Sequence, residues 1–207
     1  VSIFKIKEGV NYNPEDPNYD LFKLACKVSA KRLFPNFAFV DAPFNLQFYK
    51  PGDVNTEIAY MGCRTRVISD VTDPNHQVVT GRGNLSWTTI NLPRLGIKHG
   101  ICLKERDKAD MKGFYQELEE LMDMVKDQLL ERFEIQCNKH NYNFPFLLGQ
   151  GVWNDGEKLK PTDRLRKVWK HGSLSIGFIG LAECLKALIG KHQGESEEAQ
   201  KLGLEII

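Results

Sequence analysis

Between Asp107 and His140 one pattern dominates this chain. Met111, Phe114, Tyr115, Leu118, Leu121, Met122, Val125, Leu129 and Phe133 recur at the three- and four-residue spacing of a long helix with one buried stripe. Such a stripe belongs on a scaffold helix laid against a sheet, and the flanking sequence supplies strands. "VSIFKIK" alternates apolar Val1, Ile3, Phe4 and Ile6 with polar residues, and "FAFV" is short and fully apolar. "IAYMGCRTRVISDV" reads as apolar strand, glycine-cysteine bend, apolar strand. Leu85, Trp87, Thr89 and Ile90 mark a further strand with Pro93 as its stop. A second helix is expected to start near Asn18 to Asp20 and to run through "LFKLACKVSAKRLF". It carries Leu21, Leu24, Ala25 and Val28 on one face, and Pro35 ends it. "NFPFLLGQGVW" is mixed loop and strand, and "RLRKVWKHGSLSIGFIGLAECLKALIGKH" reads as strand, glycine turn, helix. Strands separated by helices indicate an α/β fold with substantial parallel pairing. No internal repeat and no domain boundary is evident over residues 1–207.

Composition removes several classes of function. With 28 basic and 27 acidic residues the net charge is +1, which gives no general electrostatic argument for nucleic acid or a membrane surface. No apolar run is long enough for a membrane span, and "VSIFKIKEGV" is too charged for a secretory signal. The five cysteines, Cys26, Cys63, Cys102, Cys137 and Cys184, are odd in number and widely spread, which points to a reducing, cytoplasmic setting. There is no CxxC, and "CNKH" (Cys137 and His140) is at best half of a metal site, so no metal is expected. The start inside a strand-like run and the end in "ESEEAQKLGLEII", where a helical pattern is still under way, suggest the middle of a longer polypeptide.

Three stretches could carry chemistry. In "AYMGCRTRV", Gly62 frees the backbone for a tight bend with Cys63 at its tip, and Arg64 and Arg66 stand beside it. Cys63 is then either a core cysteine or a functional one. A thiolate nucleophile would need a base, and none of His76, His99, His140, His171 and His192 lies in a cysteine-hydrolase signature. In "GRGNLSWTTINLPRLG", Gly81 and Gly83 permit close backbone approach, and Asn84 offers an uncharged donor and acceptor. The same residues also suit a turn with a self-bonding asparagine. In "GSLSIGFIGLAECL", Gly172, Ser173 and Ser175 stand before an expected helix and could present N–H groups to a phosphate, or could simply allow tight strand-helix packing. It is neither a Walker loop nor a dinucleotide fingerprint.

Taken together, "YMGCRTRV", "GRGNLSWTTINLPRLGI" and "GSLSIGFIGLAE", in this order, resemble the catalytic core of the anaerobic (class III) ribonucleoside-triphosphate reductases. "FKIKEGVNYNPEDPNYDLFKLA" and "LFPNFAFVDAPFN" are similar to the same family, so the resemblance runs through nearly the whole chain. It implies a glycyl-radical enzyme built on a ten-stranded α/β barrel with a finger loop inside. The cysteine at the loop tip, which falls on Cys63, becomes a thiyl radical and abstracts the ribose 3′ hydrogen; the 2′ hydroxyl leaves as water. The asparagine that falls on Asn84 is expected to contact the substrate sugar and, where formate is the reductant, to help place it. Gly172, Ser173 and Ser175 become substrate-side residues. Arg64 and Arg66 are expected to anchor the loop through carboxylates or backbone carbonyls, since hydrogen-atom transfer moves no net charge and needs no lowered thiol pKa.

The glycyl-radical segment, the four zinc-binding cysteines, the ATP-cone and an upstream barrel cysteine of the family have no counterpart in these residues. The resemblance also implies a radical-SAM activase with a 4Fe–4S cluster as partner, homodimerisation of the full-length enzyme, and no activity from this stretch alone. Two other readings stand beside it: a glycyl-radical lyase or acyltransferase, and a non-catalytic regulatory or dimerising module with Cys63 in its core.

Overall fold

The computed structural model describes residues 2–61, 65–75 and 77–207. They form two compact units interleaved in sequence, one from residues 1–83 and 140–172, the other from 84–139 and 173–207. Among the described residues, no helix is long and apolar enough to cross a membrane.

The first unit opens with a parallel β-α-β element. Strand β1 (Ile3–Ile6) pairs with β2 (Asn36–Phe39), Ile3 opposite Asn36 and Ile6 opposite Phe39, and helix α1 (Tyr19–Arg32) makes the crossover. The helix meets the strands through Phe22, whose ring lies 6.3 Å from Phe4 and 6.1 Å from Phe37. Phe22, Ala25 and Ser29 therefore form its inward face. Leu21, Leu24 and Val28 do share a face, as their spacing requires, but it is largely exposed among the described residues. Leu33 closes the helix in the left-handed conformation ahead of Pro35. After the short helix α2 (Pro43–Leu46) comes an antiparallel pair, β3 (Ala59–Met61) and β4 (Thr65–Val67).

Residues 140–172 add a core of Leu148, Trp153, Leu165, Val168 and Trp169, all at most 5% exposed. It includes the short helix α3 (Arg166–Trp169). The Trp153 indole N–H donates to Val168 O at 2.9 Å, and its ring meets that of Trp169 edge-on at 4.9 Å. A buried indole that keeps its hydrogen bond packs without an unsatisfied donor.

The second unit is a two-stranded parallel sheet, β5 (Asn84–Asn91) with β6 (Ser173–Ile179), covered by helices. Asn91 ends β5 and caps helix α4 (Leu92–His99), its side chain accepting from Arg94 N. The long stripe forms α5 (Met111–Cys137), capped by Asp110, with Phe114, Val125 and Leu129 buried against Ile90, Leu92, Leu95, Cys184 and Leu188. Helix α6 (Leu181–Ile189) lies against α4, and α7 (Glu197–Ile206) follows. The α4–α6 approach is close: a Cβ on Gly96 would sit 2.7 Å from Cys184 O, and one on Gly100 would sit 2.1 Å from Ala187 O. His99 Nε2 lies 2.7 Å from Glu117 Oε2, which also receives Lys98 Nζ at 2.6 Å, tying α4 to α5.

The α/β class holds, and among the described residues no closed barrel forms, which is consistent with these residues being a part of a larger fold. The described residues contain three separate two-stranded sheets, two parallel and one antiparallel. A closed barrel needs every strand paired on both edges, and here each strand has one partner.

Candidate active site

Strands β3 and β4 pair Ala59 with Val67, Tyr60 with Arg66 and Met61 with Thr65. Gly62, Cys63 and Arg64 join them in sequence and lie outside the described residues, as does His76. The arms of the pair are seated by Ile58 and Val67, 1% and 5% exposed. Arg66 was expected to find a carboxylate or a backbone carbonyl. Instead its guanidinium donates to the Asn45 side-chain oxygen at 3.2 Å and lies 5.2 Å over the Phe44 ring. The reason is local: α2 is the element that reaches it, and "PFNL" contains no acidic residue.

The "GRGN" stretch is held on both sides. Gly81 adopts φ +65 and its carbonyl accepts from Asn154 N at 2.7 Å; a Cβ there would lie 2.2 Å from Asn154 Oδ1. Conformation and space thus both require glycine. A Cβ on Gly83 would lie 3.0 Å from the Trp153 ring and 3.7 Å from Met61 Sδ, so the chain just before Asn84 packs beside the arm that leads to Cys63. Arg82 is buried and donates to His171 O at 2.8 Å, Ser69 O at 2.7 Å and Val78 O at 3.2 Å. It is a structural clamp on backbone carbonyls.

Beside Arg82 lies a pair whose members stand 101 positions apart. His171 Nδ1 is 2.6 Å from Asp70 Oδ2, both residues less than a tenth exposed, with Arg82 Nε 4.0 Å from the same oxygen. Thr72 N donates to Asp70 Oδ1, and Asp70 N donates to Gln77 Oε1. Burial raises the carboxyl pKa, but the hydrogen bonds from His171 and Thr72 and the Arg82 charge outweigh it and hold Asp70 below the usual aspartate value. A cavity of about 90 Å³ adjoins them, lined by Asp70, Asp73, Val78, Asn154, Asp155 and His171.

Of the substrate-side candidates, Ser173 and Ser175 fall on one sheet with Asn84. Asn84 pairs with Ser173 and Trp87 with Ser175 in the β5–β6 ladder, with a bulge between Asn84 and Ser86. Ser173 and Ser175 therefore stand in a strand and not at a helix start; α6 begins only at Leu181, after Gly180. The Gly172 N–H donates to Trp169 O at 2.9 Å. The helix-terminus argument for phosphate does not apply to these residues, and what Ser173 and Ser175 offer is their side-chain hydroxyls on the strand beside β5.

A family comparison decides what this arrangement belongs to. The family model of the anaerobic ribonucleoside-triphosphate reductases matches residues 1–207. The chain belongs to that family. It is 30% identical to the anaerobic ribonucleoside-triphosphate reductase of Haemophilus influenzae and 28% identical to that of Escherichia coli K12, in each case over 99% of the chain and 27% of the relative. The enzyme of Enterobacteria phage T4 is 29% identical over 91% of the chain and 30% of its own length. The chain thus spans less than a third of the reductases it matches.

Within this segment, Asp70 and Gln77 went unnoticed as sequence, and His171 was weighed only as a base for Cys63. Asp70 and His171 stand 101 positions apart, so no local spacing links them. The available signal was weak: an aspartate directly after "RVIS" and a histidine directly before "GSLS". Cys137 is buried, and His140 Nδ1 is engaged by Thr162 O at 2.8 Å. Among the described residues, no group of three or more His, Cys, Asp and Glu is placed to hold a metal ion. Burial pushes the Cys184 thiol up to about 11, which makes it a packing residue.

Proposed function

We propose that the protein containing this chain reduces ribonucleoside triphosphates to deoxyribonucleoside triphosphates by radical chemistry, and that these residues supply part of its active site. The observation that carries the reading is the family match along all of residues 1–207. The packing of Met61 beside Gly83 supports it, since Met61 directly precedes the Cys63 bend in sequence and Gly83 directly precedes Asn84.

In this reading Cys63 carries the thiyl radical and takes the 3′ hydrogen of the ribose, after which the 2′ hydroxyl departs as water. The glycyl radical supplies the unpaired electron; it and the zinc site belong to parts of the family's proteins that these residues do not match. A radical-SAM activase generates it, the full-length enzyme works as a homodimer, and formate or a thioredoxin-like donor supplies the reducing equivalents. Ile58 and Val67, both buried, give the strands that flank Cys63 in sequence an apolar seat, and exclusion of water-borne reductants is what a radical at this position would need. Gly62 allows the bend, and Arg64 with Arg66 supports it. Asn84 binds the sugar through its amide, and Gly172, Ser173 and Ser175 border the substrate.

The experiment is an Asn84→Ala variant of the full-length enzyme, activated anaerobically. Loss of an orienting amide at the reacting sugar is expected to lower turnover about a hundredfold with the glycyl-radical yield unchanged. Turnover equal to the parent's would remove Asn84 from the site.

A further inference from the structure

The pair that leads to Cys63 is short. Strands β3 and β4 hold only three residue pairs, and a two-stranded hairpin of that length is marginal in water without an outside anchor. Arg66 is the middle residue of β4, opposite Tyr60, so a contact that fixes its guanidinium adds an anchor to the apolar seats at Ile58 and Val67.

We infer that Asn45 is a positioning residue for the Cys63 hairpin, acting through Arg66. The inference rests on the reading of Cys63 proposed above. Asn45 is 4% exposed, yet both ends of its amide are engaged. Its Nδ2 donates to Phe39 O at 2.6 Å, where β2 ends, and its Oδ1 accepts from Arg66 Nη1 at 3.2 Å. One buried amide therefore ties the end of the parallel pair to the arm of the hairpin. Only an amide serves both: a carboxylate has no hydrogen for Phe39 O, and an aliphatic chain has nothing for Arg66. The neighbouring Phe44 presents its ring to the same guanidinium at 5.2 Å, a cation–π contact that restricts it from another side. The cost of losing the tie falls on geometry, because hydrogen-atom transfer depends steeply on where the sulfur stands relative to the ribose.

The test uses the full-length enzyme with its activase under anaerobic conditions. It compares the parent with Asn45→Ala, Arg66→Ala, the double variant and Cys63→Ala. Asn45→Ala is expected to lower kcat about tenfold, with KM for the nucleotide within about twofold and the glycyl-radical signal unchanged. The double variant is expected to be no slower than Arg66→Ala, because Asn45 acts through that side chain. Full turnover by Asn45→Ala, or losses that multiply in the double variant, would overturn the inference. Should Asn45→Ala fail to accumulate as folded protein, Phe44→Leu carries the test: a lowered kcat at unchanged KM supports the clamp, and an unchanged kcat overturns it. Product from Cys63→Ala would instead overturn the reading of the site itself.

Discussion

Asp70 has the most to lose from a single change. It is 4% exposed and receives His171, the Thr72 N–H and the field of Arg82 at one carboxylate. Truncation to alanine leaves His171 without its partner and Arg82 without a neighbouring countercharge. Breaking a buried pair of this kind costs on the order of 3 kcal/mol. The expected readout is faster hydrogen exchange at the Thr72 amide in Asp70→Ala, and unchanged exchange there would refute the assignment. The acid response has a definite sign. Because the folded carboxyl titrates below its ordinary 3.8, its stabilisation is complete above that pH and is lost as the pH falls below 3.8 through the folded value. An Asp70→Asn protein should lack this acid-dependent part of the loss. The arginines show what the sequence could and could not convey at this scale. Arg66 was visible in sequence as a charge beside the expected bend, but its partners, Asn45 and Phe44, were not, since they stand 21 and 22 positions away in "PFNL". Arg82 was visible only as the residue between two glycines. Its grip on three carbonyls depends on chain folding that brings residue 171 beside it.

Helix α5 was legible because its signal repeats for seven turns, and averaging over that length defeats local exceptions. Helix α4 was not, because Pro93 read only as the end of a strand. Proline does end a ladder, having no N–H to donate, but the same lack makes it suitable for a first helical turn, and Asn91 before it is the cap. In α1 the period was read correctly and the buried face was not. The aromatic contacts of Phe22 with Phe4 and Phe37 outweighed the aliphatic stripe of Leu21, Leu24 and Val28. The α4–α6 crossing yields a prediction that belongs to elements and not to single contacts. Gly100 has an ordinary negative φ, so alanine is allowed by the backbone, yet its Cβ would meet Ala187 O. Gly100→Ala should therefore force the helices apart and destabilise the second unit by about 2 kcal/mol. Reduced protection of the Ile101 amide, which donates to Ala187 O, would register it. Retained protection would mean that the helices adjust without cost.

For the molecule as a whole, the chain passes between its two units after residues 83, 139 and 172. Interleaving of this kind leaves no composition shift or linker to read, which is why the sequence displays no boundary. The family was legible in long motifs around Cys63, Asn84 and Ser173, and the match over residues 1–207 agrees with it. The family implied that these residues are part of a barrel, and the three two-stranded sheets among the described residues are consistent with a part of a larger fold. The central claim concerns Cys63, and one comparison addresses it most directly. The full-length enzyme and its Cys63→Ala variant are activated anaerobically, then assayed by electron paramagnetic resonance for the glycyl radical and by chromatography for deoxyribonucleotides. The account predicts the radical in both and product in the parent alone; deoxyribonucleotide from Cys63→Ala would contradict it.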